Sequence, residues 1–233
     1  MRYFEIAFTP FVADTVMTDP AYRSKTRMGF QGKEVVDHSN HFIPTQIFKG
    51  NRVVPNLCTA SPDLGMRVVF SGKAKRIIEK FDNEVIRFYS CPCSHRSVRL
   101  EDFWISDVIN FMDSFIDFEK SSWVLSKRLI DPFTDEPTKE FKKIITTHKF
   151  SSFIEYLNFR ENNLSILDII EYQHLFIKPE VEAHVLFLYD AGPPHLIISE
   201  VLKDELIKNR LTKGVEFRPI EMSRNEWYKT RRT

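Results

Sequence analysis

Two stretches of the chain decide the predicted fold, RVVFSGKAKRIIEKFDNEVIRFY at residues 67–89 and HLIISEVLKDELIKNRLTKGVEF at residues 195–217. In each, a short apolar strand runs into a serine, a preferred helix N-cap because its hydroxyl accepts a hydrogen bond from an otherwise unpaired backbone amide. Apolar residues then recur at helical spacing, and a second apolar strand follows. The alignment pairs Ser71 with Ser199, Ile78 with Leu206 and, after a one-residue insertion, Phe88 with Phe217. The sequence therefore predicts an internal strand–Ser–helix–strand repeat.

This arrangement of strands and helices predicts an α+β fold with mixed sheet elements and packed helices. Outside the repeat, weak alternation predicts a first strand at residues 2–8, and apolar runs predict strands at 166–170 and 185–189. Apolar residues at helical spacing predict two more helices, at 103–118 and 137–157.

The same patterns suggest two lobes or, alternatively, one continuous domain. The N-terminal lobe covers residues 1–98 and holds the first repeat unit, and the C-terminal lobe covers residues 99–222 and holds the predicted helices and the second unit. Residues 223–233 form a basic tail in which only Trp227 and Tyr228 are bulky and apolar. Because little apolar surface is available to anchor it, we expect the tail to be loosely attached.

Composition argues against several classes of function. The 233 residues carry 33 Lys and Arg against 32 Asp and Glu, a balance that gives no overall attraction to nucleic acid or to an anionic membrane. No apolar run approaches the length of a transmembrane helix, and the first residues lack the pattern of a secretion signal. Three cysteines give no disulfide framework, which favours a reducing compartment. We therefore expect a cytoplasmic protein with no membrane partner.

Motifs of an enzyme or a metal centre are absent from the sequence. It contains no phosphate-binding P-loop, no dinucleotide-binding glycine motif, and neither a zinc-protease nor a serine-hydrolase signature. Cys91 and Cys93 with His95 are the best metal candidates, but a single Pro separates the cysteines, whereas zinc sites favour longer spacers between paired thiolates. The sequence thus predicts no catalytic residues, no cofactor and no metal.

An acidic cluster is the most informative local feature. Six acids stand against one lysine between residues 101 and 122: Glu101, Asp102, Asp107, Asp113, Asp117 and Glu119 against Lys120. The cluster fits a solvated helix face, a contact surface for a basic partner, or a pair of catalytic carboxylates. The candidate residues of a contact surface are Asp107, Asp113, Asp117 and Glu119, with Trp104 and Trp123 as aromatic anchors.

A basic segment lies upstream, at residues 67–99. It holds eight Lys or Arg residues against three acids, a bias that could provide a phosphate-binding patch. Lys73, Arg76 and Lys80 fall along one face of the predicted helix, which is equally normal for a solvated helix. Nucleic-acid binding therefore stays an alternative, ranked below protein binding.

Several segments resemble a family of bacterial polymorphic-toxin immunity proteins, the myxobacterial-type immunity domain. The segments that carry the resemblance are LIIS at 196–199 and GVEFRPI at 214–220, FWISDVIN at 103–110 with DFEKS at 117–121, VVFS at 68–71 with FY at 88–89, and PDL at 62–64. The similarity covers residues 55–221. Two features depart from the family pattern: Gly72, where the family tends to carry an acidic or helix-favouring residue, and residues 131–137, which look like an inserted loop.

The resemblance implies a non-enzymatic immunity protein of an effector–immunity pair in interbacterial competition. Such a protein binds a cognate toxin domain encoded nearby and inhibits it stoichiometrically, and it has no catalytic residues to carry over. The toxins of such pairs differ in activity, so the resemblance implies a partner without naming its chemistry. An uncharacterised enzyme that uses the acidic cluster remains the other alternative.

Overall fold

The computed structural model describes residues 1–8, 16–18, 43, 45–48, 54–60, 67–81, 84–127, 144–165, 168–190 and 195–231. Helices and strands are interspersed along the chain, which confirms the α+β class. The strands are β1 (Tyr3–Phe8), β2 (Val16–Thr18), β3 (Gln46–Phe48), β4 (Leu57–Thr59), β5 (Val68–Ser71), β6 (Ile86–Ser90), β7 (Cys93–His95), β8 (Val98–Leu100), β9 (Phe103–Val108), β10 (Ser122–Lys127), β11 (Ile144–His148), β12 (Ile169–His174), β13 (Val185–Leu188), β14 (His195–Ser199) and β15 (Val215–Pro219). The helices are α1 (Gly72–Glu79), α2 (Phe153–Asn163), α3 (Glu200–Lys208) and α4 (Arg224–Thr230).

The described strands form four sheets. Sheet I has the strand order β4-β5-β9-β6, and sheet II has the order β13-β14-β1-β15. Sheet III is β11-β10-β12, and sheet IV is β2-β3-β7-β8. Only β3 and β7 pair in parallel; the other described pairs are antiparallel.

The predicted repeat is confirmed. Helix α1 follows β5 and precedes β6, and helix α3 follows β14 and precedes β15. The Ser71 hydroxyl caps α1 by accepting from the Ala74 amide at 3.4 Å. The Ser199 hydroxyl caps α3 by accepting from the Leu202 amide at 3.3 Å. Both serines therefore do what their position in the sequence predicts.

The two units also share strand register, beyond what the sequence shows. Strand β9 holds the central position in sheet I that β1 holds in sheet II. The pair Ser71–Phe103 in sheet I corresponds to the pair Ser199–Tyr3 in sheet II. In the same way, Phe88–Ser106 corresponds to Phe217–Ile6, and Leu57–Phe70 corresponds to Val185–Ile198. Because every pairing matches under one alignment, the two units are copies of one four-stranded design with a single helix.

Equivalent lysines fix each helix to its central strand. The ammonium of Lys75 lies 4.3 Å from the ring centroid of Trp104, and that of Lys203 lies 3.9 Å from the ring centroid of Phe4. A cation over an aromatic face is attracted by the ring quadrupole. The repeat therefore extends from backbone register to side-chain contacts.

The first helical residue differs between the two units. The Gly72 amide donates to the Asp102 carbonyl at 2.7 Å, and the Glu200 amide donates to the Arg2 carbonyl at 2.9 Å. A Cβ at Gly72 would lie 1.7 Å from a carboxylate oxygen of Asp102, whereas the Glu200 side chain forms an ion pair with Arg2 at 3.6 Å. Gly72, which departs from the pattern of the immunity-protein family, therefore leaves room for the Asp102 carboxylate.

The central strands cross the predicted lobe boundary between residues 98 and 99. Strand β1 pairs with β14 and β15 of the predicted C-terminal lobe, and β9 pairs with β5 and β6 of the predicted N-terminal lobe. Sheets I and II therefore do not coincide with the lobes at 1–98 and 99–222, because each takes one strand from the other lobe.

Three apolar cores join the sheets. The first contains one face of sheet I, one face of sheet II and the buried sides of α1 and α3. The second contains the other face of sheet II with residues of sheet III and α2, and the third joins the other face of sheet I to sheet IV. Along β1, Ile6 belongs to the first core and Tyr3 to the second. Sheet II is therefore covered on both faces.

The helix predicted at residues 103–118 is wrong. Residues 103–108 form β9, and a short 3-10 turn follows at Asp113–Phe115. Phe103 and Ile105 lie in the third core, while Val108 packs against the first. A strand that is covered on both faces loses the alternation of a half-exposed strand, so its apolar residues also matched helical spacing.

The second predicted helix, at 137–157, is wrong over residues 144–152, and its residues 137–143 lie outside the described part of the chain. Residues 144–148 form β11, and α2 begins only at Phe153. The Ser152 hydroxyl caps α2 by accepting from the Glu155 amide at 3.2 Å. Serine is a preferred N-cap residue, so Ser152 indicated the start of a helix in the sequence. The prediction failed because apolar residues continue at helical spacing on both sides of Ser152.

The tail is not loosely attached over its described residues. Residues 224–230 form α4, which begins with a capping box between Ser223 and Glu226. Trp227 is buried, and Arg231 forms an ion pair with Glu216 at 2.5 Å. The capping box supplies the helix start that composition alone did not reveal.

The remaining strand predictions have mixed outcomes. The strands predicted at 2–8 and 185–189 are confirmed by β1 and β13. The strand predicted at 166–170 is β12, which starts at Ile169. The PDL segment at 62–64 and the inserted loop at 131–137 lie outside the described residues.

Candidate partner-binding site

Asp107, the first predicted contact residue, lies inside the fold. Its side chain is 1% exposed, and one carboxylate oxygen accepts from the Arg67 guanidinium at 3.4 Å. The adjacent Ser106 hydroxyl accepts from the Val68 amide at 2.9 Å. Asp107 therefore ties β9 to the start of β5, and the prediction that it faces a partner is corrected: its charge is buried because a buried arginine balances it.

Asp113 is also buried. Its two carboxylate oxygens accept from the backbone amides of Tyr189, at 3.1 Å, and Asp190, at 2.9 Å. These bonds fasten the 3-10 turn to the chain that follows β13. Asp113 is thus an internal anchor, contrary to the predicted contact role.

The two predicted aromatic anchors lie in different places. Trp123 is fully buried in the second core and stacks on Phe118, with the two ring centroids 5.1 Å apart. It therefore offers no surface to a partner. Trp104 is half-buried on sheet I beneath Lys75, and its indole nitrogen donates to Asp102 at 3.2 Å. The structure therefore does not bring the two tryptophans together.

Glu119 is exposed, whereas the side chain of Asp117 is only 16% exposed. The Asp117 amide donates to the Phe176 carbonyl at 2.8 Å, so the backbone at this acid is held in place. Its carboxylate accepts from the Lys120 ammonium at 2.6 Å. This hydrogen bond lowers the pKa of Asp117 and raises the pKa of Lys120. Glu119 is exposed beside them.

A cavity of about 500 Å³ opens beside the 3-10 turn at Asp113–Phe115. It is lined by Met112, Ser114, Phe115, Lys178, Glu180, Val181, Glu182 and Ala183. Its two walls are joined where the Lys178 amide donates to the Phe115 carbonyl at 2.9 Å. On the second wall, the Tyr3 hydroxyl lies 3.1 Å from the carbonyl oxygens of both Val181 and Ala183. The cavity is therefore formed by backbone segments that the fold holds in position.

Acidic side chains dominate the rim of this cavity. Glu180 and Glu182 are exposed, and the charges of Glu119 and Glu180 both act on Lys120. The rim and its neighbours carry four carboxylates against two ammonium groups: Asp117, Glu119, Glu180 and Glu182 against Lys120 and Lys178. We call the surface formed by residues 112–120 and 178–183 the acidic groove. Sequence reasoning found its first segment and missed the second, which is distant in the chain.

A second cavity, of about 330 Å³, lies beside α2. Arg160 and Asp190 line it and form an ion pair at 2.7 Å. Asp168 also lines it, and its carboxylate accepts from the Ser165 amide at 2.9 Å. Both carboxylates are thus engaged by the protein itself.

Glu5 is the centre of a buried polar cluster that sequence reasoning missed. Its carboxylate accepts from Arg218 Nε at 2.7 Å, from the Tyr172 hydroxyl at 2.9 Å and from His195 Nδ1 at 2.7 Å. Burial alone would raise the pKa of Glu5, but His195 and Arg218 hold it well below its usual range. Arg224 of α4 lies 3.8 Å away. The cluster therefore ties four strands and α4 together through one carboxylate.

His195 and Tyr172 complete the electrostatics of this cluster. Burial and the Glu5 carboxylate raise the pKa of Tyr172 well above its usual range, so its hydroxyl stays a donor. The Nε2 atom of His195 is buried and has no hydrogen-bond partner among the described residues. All four groups are engaged with one another inside the fold, so their first role is structural.

Several basic residues of segment 67–99 lie beside acids of the chain itself. Arg67 is buried against Asp107, Arg76 lies 3.7 Å from Asp102, and Arg99 lies 2.6 Å from Glu101. Acids thus neutralise much of the positive charge that a phosphate patch would need. Nucleic-acid binding gains no support from this geometry.

The three cysteines are buried free thiols. Burial raises the pKa of Cys58, and the neighbouring Cys91 adds to the shift. Cys91 and Cys93 belong to the third core, packed with Phe48 and Val69. In the described part of the chain, no group of three His, Cys, Asp or Glu side chains could hold a metal ion.

Two comparisons were made, with protein-family models and with curated proteins. Neither a protein-family model nor a curated protein matches this chain. The resemblance to toxin-immunity proteins therefore rests on the sequence segments that carry it. Among the described helices, none combines the length and apolar character needed to cross a membrane.

Proposed function

We propose that this chain is an immunity protein that acts in the cytoplasm. It binds a cognate bacterial toxin domain encoded nearby and neutralises it by stoichiometric protein–protein inhibition, without catalysing a reaction. The structural observation that carries the proposal is the acidic groove, where two exposed carboxylates, Glu180 and Glu182, lie on the rim of a cavity with a mostly apolar lining. The family resemblance supplies the kind of partner.

The acidic groove has the features of a protein-binding surface. Interfaces combine an apolar centre with a polar rim, and a few side chains seated in pockets provide most of the binding energy. Here Phe115 and Val181 provide the apolar centre, and Glu180 and Glu182 provide the rim. Rim charges speed the capture of an oppositely charged partner, which suits an inhibitor that must act before its toxin does damage.

The environments of the acids also favour binding over acid–base chemistry. Asp107 is paired with Arg67, Asp113 accepts two backbone amides, and Asp117 is bonded to Lys120. None of the six acids at 101–119 lines the described cavities. A pair of catalytic carboxylates needs both groups to face one substrate site. These acids therefore support the enzyme alternative less well.

Co-expression with the neighbouring reading frame tests the proposal. We expect that frame to arrest growth when expressed alone and this chain to restore growth. A catalytically inactivated toxin should form a complex of fixed stoichiometry with the purified protein in size-exclusion chromatography with light scattering. A neighbouring product that is harmless, or that stays lethal in the presence of this chain, would contradict the proposed function.

A further inference from the structure

We infer that the acidic groove accepts one bulky apolar side chain of the toxin, flanked in the toxin sequence by Lys or Arg residues. The inference rests on the proposed function for the identity of the partner. It adds which surface of this chain makes the contact and what chemistry the partner must present there.

The shape and lining of the cavity point to an apolar side chain. The volume of about 500 Å³ lies within the range of pockets that enclose a ligand or a large side chain. Met112, Phe115, Val181 and Ala183 line it, and the first three are partly accessible. An aromatic side chain from a partner would bury apolar area of its own and cover these side chains, and both effects favour binding.

The charge around the cavity points to a cationic neighbour for that side chain. Apart from the buried Asp113, the acidic groove carries four carboxylates and two ammonium groups, an excess of two negative charges. One ammonium, Lys178, donates to the Ser114 carbonyl at 2.8 Å, and the other, Lys120, is bonded to Asp117. Among the described residues neither Glu180 nor Glu182 forms an ion pair, and both lie exposed on the rim. Arginine or lysine in the partner would complement them.

The walls of the acidic groove are positioned before any partner binds. Asp113 fastens the first wall to the backbone at Tyr189 and Asp190, and the Met112 amide donates to the Phe187 carbonyl at 3.0 Å. Tyr3 of β1 fastens the second wall. A surface that needs little ordering on association retains more of its contact energy as affinity.

The decisive experiment combines two probes. The first is the catalytically inactivated toxin domain. The second is a fluorescent peptide with one Trp between pairs of Arg, compared with peptides in which Glu replaces Arg or Ala replaces Trp. Binding is followed by fluorescence anisotropy at low and high salt. We expect the Arg–Trp peptide to bind best and to weaken as salt screens the rim charges.

Two groove variants and two matched controls locate the contact. The groove variants are the double variant Glu180→Lys/Glu182→Lys, which reverses the rim, and Val181→Gln, which makes the lining polar. The controls are Glu101→Lys/Glu161→Lys, with the same change in net charge at exposed sites elsewhere, and Val201→Gln on the exposed side of α3. We expect each groove variant to lose about tenfold or more in affinity for both probes and each control to lose less than about twofold. Thermal unfolding checks that all variants are folded.

Each alternative outcome has a definite consequence. Groove variants that bind the toxin as the unaltered protein does would overturn the inference and leave the proposed function standing. Groove-dependent binding of the peptide, without neutralisation of the toxin, would overturn the proposed function and leave the binding chemistry standing. If the protein forms a dimer that Val181→Gln dissociates, a second copy of this chain occupies the groove and the inference is overturned. Equal binding of the Glu-substituted peptide would overturn the inference that the partner must carry Lys or Arg beside its apolar side chain.

Discussion

Replacement of Glu5 by Gln removes one charge from the middle of the molecule. The Glu5 carboxylate is the acceptor for Arg218, Tyr172 and His195, and both Glu5 and Arg218 are buried. Gln keeps the shape of the side chain but leaves the Arg218 guanidinium without a counter-charge. The Met222 carbonyl and the Tyr172 hydroxyl still accept from this guanidinium, at 2.7 Å and 2.6 Å, so the arginine keeps two hydrogen bonds but no counter-charge.

The expected loss follows from the burial of that arginine. Breaking a buried ion pair by removing one partner costs about 3–5 kcal/mol, because the remaining charge stays desolvated. Arg218 is only 2% exposed, so water cannot replace the lost carboxylate without a local opening of sheet II. We therefore expect Glu5→Gln to lower the free energy of unfolding by about 3–5 kcal/mol in urea titrations at neutral pH.

The pH dependence provides an independent check. The pKa of Glu5 is lowered in the folded protein, so its carboxylate stabilises the fold above the ordinary value of 4.5, and this contribution is lost as the pH falls. The Gln side chain does not titrate. The difference in stability between the two proteins should therefore be largest near neutrality and should narrow as the pH falls from about 4.5 toward about 2.

Two further variants separate charge from packing. Glu216→Gln on the neighbouring surface breaks the half-exposed ion pair with Arg231 and should cost less than about 1 kcal/mol. The double variant Glu5→Met/Arg218→Met removes both charges and should be more stable than Glu5→Gln. A loss below about 1 kcal/mol for Glu5→Gln, or a difference that does not change with pH, would refute the reasoning.

Other substitutions test the caps, the tail and the groove anchor. Ser199→Ala and Ser71→Ala should each lower the free energy of unfolding by about 1 kcal/mol in urea titrations, because the serines cap equivalent helices; unequal losses of more than about 1 kcal/mol would contradict the equivalence. Trp227→Ala should cost about 3 kcal/mol and expose α4 to limited proteolysis, whereas Tyr228→Ala, on the exposed side, should change stability by less than about 0.5 kcal/mol. Asp113→Asn should cost about 1–3 kcal/mol and weaken toxin binding, because the acid holds one wall of the acidic groove; unchanged stability and binding would show that the anchor is dispensable.

The repeat could be predicted because its signals are local. Ser71 and Ser199 sit directly between an apolar strand and a helical period, so the cap and the change of period identify the unit within a short stretch of sequence. The position of β9 could not be obtained in the same way. Its apolar residues serve two different cores, and only the assembled sheets show that residues 103–108 are extended.

The candidate site was predictable only in part, for a similar reason. Glu119 is exposed and Asp117 is partly exposed, whereas Asp107 and Asp113 are buried. The partners that make this burial favourable are distant in the chain: Arg67 for Asp107, and the amides of residues 189 and 190 for Asp113. The role of Glu5 could not be predicted, because a single acid within a strand indicates an outward-facing side chain. Only the assembled structure shows that the second core covers it.

The central place of β1 in sheet II has a consequence for synthesis on the ribosome. Strand β1 is synthesised before most of the chain. The hydrogen-bond partners of Glu5 follow much later, His195 after 190 residues and Arg218 after 213 residues. Until then the strand has open edges on both sides, so it is exposed to misassociation during translation. Sheet II can therefore close around β1 only after β14 and β15 have been synthesised, and until then the Tyr3 that holds the wall of residues 181–183 lies in an unpaired strand.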